Sequence, residues 1–85
     1  KFAMNAVGTA AAGDELENKI RITTICPGEV DTPLLDDRPQ PPPAEHRATI
    51  LLASDIADIV VAVARLHPRA HVPELTIKPT SQLFV

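Results

Sequence analysis

The sequence predicts an α/β protein with a parallel sheet, on three observations. Residues 20–26 and 74–78 both read as strands, residues 54–66 between them read as an amphipathic helix, and an Ala-rich helical stretch precedes the first strand. A strand, a helical crossover and a second strand make a parallel pair, and parallel sheets are buried under helices on both faces. Two strands cannot form such a sheet alone. The 85 residues therefore read as a single unit, an incomplete part of one domain, with the missing strands expected upstream of Lys1. The opening on Lys1 rather than Met, with no apolar signal segment after it, agrees with this, as does the small core open to a chain of this length.

Residues 1–18 contain no proline, and Ala3, Ala6, Val7 and Ala10 recur at spacings of three and four, giving one apolar helical face. Gly8 and Gly13 each cost a helix interior about 1 kcal/mol relative to Ala, so both are expected to serve close packing. This face of small side chains fits a helix lying against a sheet, or one that also meets a partner subunit. Glu17, Asn18 and Lys19 form a polar break. Residues 20–26 then alternate and are rich in β-branched side chains. Pro27 lacks an N–H and Gly28 can take backbone angles that other residues avoid, so the strand is expected to end there.

The pattern loosens over 33–53. Pro39, Pro41, Pro42 and Pro43 interrupt any helix, and Asp36, Asp37 and Arg38 carry charge. Such a stretch reads as a stiff extended connector, with a short helix possible over 44–50. Arg38 and Pro41 would begin a ligand for an SH3-type domain, but Ala44 stands where its second proline belongs. Ser54 is the expected N-cap of the next helix, with Asp55 favoured by the helix dipole. Ile56, Ile59, Val60 and Val63 share one face, with Asp58 and Arg65 away from it, and Pro68 ends the helix at about His67. The strand over 74–78 is closed by Pro79.

A net charge of −3 and an aromatic content of 2% argue against nucleic acid as a partner. The longest apolar run, 59–64, is too short to cross a bilayer, so no membrane partner is expected. The lone Cys26 cannot form an internal disulfide and no Cys/His cluster offers four zinc ligands. The chain is expected to be cytoplasmic, reduced and metal-free, with Cys26 a small buried hydrophobe. His67 and His71 have a metal-ligand spacing, but Pro68 between them makes them loop histidines. Glu45 and His46 read as exposed charge, and Leu83-Phe84-Val85 as an apolar end that packs on the body or on a neighbour.

Ligands of open α/β sheets sit past the carboxyl ends of strands, which singles out Cys26-Pro27-Gly28-Glu29-Val30-Asp31-Thr32-Pro33. There a strand end releases its backbone, proline removes a competing donor and threonine adds a short donor–acceptor arm. Thr32 also suits the start of a turn before Pro33, and Lys1 also suits a solvated lysine at a helix start.

Lys1-Phe2-Ala3, Ile20-Arg21-Ile22-Thr23 leading into Pro27-Gly28-Glu29-Val30-Asp31-Thr32, Ser54-Asp55-Ile56-Ala57, and the closing Lys78-Pro79-Thr80 resemble the carboxyl-terminal part of short-chain dehydrogenases/reductases. The likeness covers nearly the whole chain. Its most specific element is the Pro-Gly-x-Val-x-Thr run at its expected distance after the helix opened by lysine. The resemblance implies a doubly wound, Rossmann-like domain and hydride transfer between NAD or NADP and a small alcohol or carbonyl substrate. It makes Lys1 the last residue of the family's Tyr-x-x-x-Lys motif, catalytic through the tyrosine and bonded to the nicotinamide ribose. Pro27 and Gly28 would line the nicotinamide, and the Val30 backbone and Thr32 hydroxyl would hold its carboxamide. Glu29 and Asp31 would face substrate or solvent, and 34–53 would be the substrate-covering loop. Homo-oligomers through the lysine-bearing helix are implied, with Ala10-Ala11-Ala12-Gly13 allowing close approach.

The family's tyrosine, serine and glycine-rich turn are expected upstream, so the 85 residues alone are expected to be inactive. The other functional class open to the chain is a non-catalytic interaction fragment that uses its two helices as packing surfaces. A tyrosine four positions before Lys1 discriminates between them.

Overall fold

The computed structural model describes residues 2–83. Lys1, and the Phe84-Val85 part of the apolar end, lie outside the described residues. In order come α1 (Phe2–Asp14), a 3₁₀ turn (Leu16–Asn18), β1 (Thr24–Pro27), β2 (Val30–Asp31), a second 3₁₀ turn (Pro33–Asp37), α2 (Ala44–Arg47), β3 (Leu51–Leu52), α3 (Ala53–Ala64) and β4 (Glu74–Ile77). β1 pairs with β4 and β2 with β3, both parallel, so the expected α/β class holds. The short β2–β3 pair within the connector was not expected.

β1 begins at Thr24 rather than residue 20 because β4 offers it no earlier partner, Thr24 being in register with Glu74. The segment before β1 is held sideways instead. Arg21 Nη1 donates to the carbonyls of Ala70 at 2.7 Å and His67 at 3.2 Å, and the His71 ring bonds the Ile22 carbonyl at 2.8 Å. Pro27 is the last residue of β1, not the first beyond it. Thr24 and Gly28 donate to Pro73 and Ile77, so alternate residues bond β4 and the Pro27 nitrogen faces the opposite edge. The missing N–H therefore costs the ladder nothing, as proline requires at a sheet edge. Among the described residues no strand pairs with that edge.

α1 runs antiparallel to β1. Met4 lies beside Pro27 at the carboxyl end, and a side chain at Gly8 would collide with Thr24 near the other. The inward face is Asn5, Gly8, Ala11 and Ala12, while the predicted face of Ala3, Ala6, Val7 and Ala10 points outward. The close approach permitted by Gly8 decides the rotation of the helix, which three- and four-residue spacing among alanines does not. A side chain at Gly13 would meet nothing within 4 Å, so of the two helix glycines only Gly8 serves packing.

The helix predicted from Ser54 starts one residue earlier, after Leu52. Asp55, not Ser54, satisfies its end by accepting the Leu52 N–H at 2.8 Å. Ile56, Ile59 and Val63 turn inward as expected, but Val60 is exposed together with Val61. α3 stops at Ala64, short of His67, where Pro68 disfavours helical backbone before it and the following carbonyls turn towards Arg21. α2 is shorter than the 44–50 expectation: it closes in a turn where Thr49 donates to the His46 carbonyl from both its N–H at 3.0 Å and its Oγ1 at 2.7 Å.

The radius of gyration is 15.6 Å, against roughly 12 Å for a compact domain of this length. Much apolar surface accordingly faces outward, including Met4, Val7 and Leu16. Among the described residues Cys26, Leu35, Ile50 and Pro79 are buried. No helix among the described residues is long and apolar enough to cross a membrane.

Candidate functional site

The run 27–32 leaves the carboxyl end of β1 with the first turn of α1 on one side. There a cavity of about 220 Å³ is lined by Met4, Thr24, Ile25, Cys26 and Pro27. Asn5 joins helix to strands, its amide donating to the Glu74 carboxylate at 3.0 Å and its carbonyl accepting the Cys26 thiol at 3.5 Å. Cys26 is buried, as its apolar reading required. Lys1, the expected catalytic residue, lies outside the described residues, although the helix that follows it begins at this end of β1.

Gly28 corrects an expectation. No described glycine has a positive φ, so its backbone freedom is not what the fold uses here. A Cβ at this position would meet Gln82 Oε1 at 2.8 Å, Pro79 Cδ at 3.0 Å and Lys78 Cα at 3.2 Å. Glycine lets the segment after β4 close on the strand end. Gln82 completes that closure by accepting the Glu29 N–H at 3.1 Å.

Val30 lies in β2, in register with Leu51. Leu51 donates to the Glu29 carbonyl at 3.1 Å, so the ladder to β3 runs through the neighbours of Val30. The Val30 N–H and C=O are thereby directed to the other edge of β2. Thr32 is extended and half-buried, and its hydroxyl makes no capping bond to the turn that follows. The strand end thus presents a donor, an acceptor and a short hydroxyl, a set that fits a planar amide. Pro27 adds an exposed ring beside them.

Glu29 and Asp31 do not simply face solvent. Each is paired with one of two adjacent residues of α2. His46 Nε2 lies 2.5 Å from Glu29 Oε2, so His46 is no free surface charge. Arg47 reaches three groups. Its Nε donates to Asp31 Oδ1 at 2.9 Å, Nη1 to Asp36 Oδ1 at 2.6 Å and Nη2 to the Thr32 carbonyl at 3.3 Å. The hydrogen bond to Asp36, then that to Asp31, pushes the Arg47 pKa up, and the guanidinium stays charged. Beyond His46 a cavity of about 210 Å³ is lined by Glu29, Thr49, Ile50, Pro79 and Gln82 among others.

Sequence reasoning missed His46, Arg47 and Gln82. The signal for the first two was present: acids at 29 and 31 share one side of an extended chain, and a basic pair follows within the segment that must fold back. Gln82 carried no signal, because its role is set by the turn after β4. Among the described residues no group of three or more His, Cys, Asp or Glu lies together as metal ligands would.

No protein-family profile matches the chain. It is 36% identical over 87 aligned residues to the farnesol dehydrogenase of Aedes aegypti, a match that takes in 99% of this chain and 34% of that protein. The chain spans about a third of the length of the curated relative it matches.

Proposed function

We propose that the chain is the carboxyl-terminal part of an NAD(P)-dependent oxidoreductase of the short-chain dehydrogenase/reductase type, acting on an alcohol or carbonyl. The observation that carries this reading is the strand end itself. At the carboxyl end of a parallel pair, Val30 turns its peptide groups away from β3 and Thr32 offers an uncommitted hydroxyl. The alignment to a dehydrogenase along the whole chain supports it.

On this reading the Val30 peptide and the Thr32 hydroxyl hold the carboxamide of the nicotinamide, and Pro27 and Gly28 shape the wall beside it. By the family resemblance, Lys1 is assigned to the same site. When bound, the nicotinamide supplies a hydride acceptor or donor: alcohol and NAD(P)⁺ give carbonyl, NAD(P)H and a proton. The segment 34–53 covers the substrate, and its apolar residues suit a substrate with a hydrocarbon body. A long isoprenoid alcohol such as farnesol is the first to test.

The test uses the full natural protein that contains these residues, supplied with NAD⁺ or NADP⁺ and a series of primary alcohols, with reduction followed at 340 nm. Thr32→Val keeps the branched shape and removes the hydroxyl. It should lower kcat/KM by about tenfold, roughly 1.4 kcal/mol of transition-state stabilisation, and leave the unfolding temperature nearly unchanged. Absence of both cofactor binding and turnover overturns the reading.

The exposed outer face of α1, with Met4 63% and Val7 62% accessible, favours a role for that helix as a packing surface. In the oxidoreductase this is the surface through which subunits associate; in a non-catalytic protein it would be the functional surface itself.

A further inference from the structure

We propose that Arg47 is a positioning residue that sets the Thr32 backbone for turnover, through a fork that no other side chain can replace; this rests on the reading of 27–32 as the nicotinamide site. The guanidinium joins three pieces of chain that are otherwise separate. These are the end of β2 at Asp31, the 3₁₀ turn at Asp36, and α2, to which Arg47 itself belongs. It also donates to the main-chain carbonyl of Thr32, the residue whose hydroxyl the proposed reading assigns to the carboxamide. A shift of that carbonyl carries the hydroxyl with it.

The surroundings show why the arrangement is specific. The Arg47 side chain is 24% accessible and that of Asp31 is 31%, so this prong is partly shielded, whereas Asp36 is 64% accessible. An isolated exposed pair contributes little, but here one planar group satisfies two carboxylates and a carbonyl in fixed directions. Lysine carries the same charge on a single nitrogen and cannot span all three. His46, the preceding residue, adds a second tie to Glu29 on the other side of Val30. The Val30 peptide therefore lies between two side-chain ties, and only the Arg47 tie also grips the backbone.

The consequence is a division of labour. Reacting groups displaced by about 1 Å lose large factors in rate, so a loosened Thr32 affects turnover first. Binding of the cofactor draws on contacts over its whole length, and should change little.

The test compares Arg47→Ala, Arg47→Lys and the exposed, distant Glu17→Gln in the full natural protein. It reads kcat, the cofactor dissociation constant by titration, and thermal unfolding. Arg47→Ala and Arg47→Lys should both lower kcat by about tenfold while the cofactor constant changes less than about twofold. Glu17→Gln, which lies in neither the fork nor the substrate segment, should match the parent.

If Arg47→Ala does not fold, Arg47→Lys decides. A folded Lys variant with parental kcat overturns the proposal and leaves the oxidoreductase reading standing. An equal loss in kcat and cofactor affinity, tracking the fall in unfolding temperature, also overturns it, since that describes general loosening. A parent protein with no nicotinamide-dependent turnover removes the reading and the proposal together.

Discussion

Replacing Gly28 by alanine forces a choice on the strand end, and its cost follows from the surroundings of that residue. The new methyl would lie 3.0 Å from Pro79 Cδ and 3.2 Å from Lys78 Cα, neither of which can swing away, and 2.8 Å from Gln82 Oε1, which can. If Gln82 rotates, the Glu29 N–H loses its acceptor, a cost of about 1 kcal/mol. Relieving the two remaining contacts means moving the turn after β4, and overpacking of this kind costs typically about 1–3 kcal/mol. Against this, alanine lowers unfolded-state entropy and contributes about 0.5 kcal/mol to stability, since the φ of Gly28 is not positive. The net loss should be about 1.5–3.5 kcal/mol, measured as a lower urea midpoint at constant m-value. Gly13→Ala is the internal comparison: it lies in α1 with nothing within 4 Å, and should gain about 0.5–1 kcal/mol. An unchanged or raised midpoint for Gly28→Ala would show that the segment after β4 does not close on the strand end, and would refute the reasoning.

Asp55→Ala should destabilise by about 1 kcal/mol and Ser54→Ala by no more than a few tenths, because the carboxylate and not the hydroxyl receives the Leu52 N–H; paired denaturation curves check the order. Val7→Lys should leave the folded protein intact, since the side chain already faces outward, but should lower the mass seen by light scattering if α1 joins subunits; an unchanged oligomer removes α1 as the interface.

The α/β class was legible because it rests on order and period. Two alternating β-branched runs with a helix between them leave little choice, and β1, α3 and β4 all formed within a few residues of expectation. Rotation about a helix axis was not legible in α1. Its alanines are small on every side, so three- and four-residue spacing picked the outward face, and the decision fell to Gly8 against Thr24. Gly28 was picked out correctly for the wrong physical reason: it is needed for space, not for an unusual φ. The connector hid most. Pro39, Pro41, Pro42 and Pro43 made 33–53 look irregular, yet Val30-Asp31 and Leu51-Leu52 pair across it and the basic residues of α2 return to the acids of the strand end. Such long-range pairing is decided by loop closure, to which local propensity is blind.

The distribution of burial bears on how the segment 33–52, proposed to cover the substrate, behaves. Leu35 is 4% accessible and Ile50 8%, and these two bracket the proline-rich stretch. Each buried aliphatic side chain contributes about 1.5–3 kcal/mol relative to exposure, far more than partly exposed ion pairs of this kind usually do. The apolar anchors therefore supply the hold and the charged ties supply the register, selecting which peptide of β2 the segment lies against. Between the anchors, Pro39, Pro41, Pro42 and Pro43 fix φ and leave little slack. A segment anchored at both ends, stiff in the middle and clamped near one end by Arg47 is built as a preformed wall. A hinged flap would instead need an end free of such anchors, and neither end of 33–52 offers one.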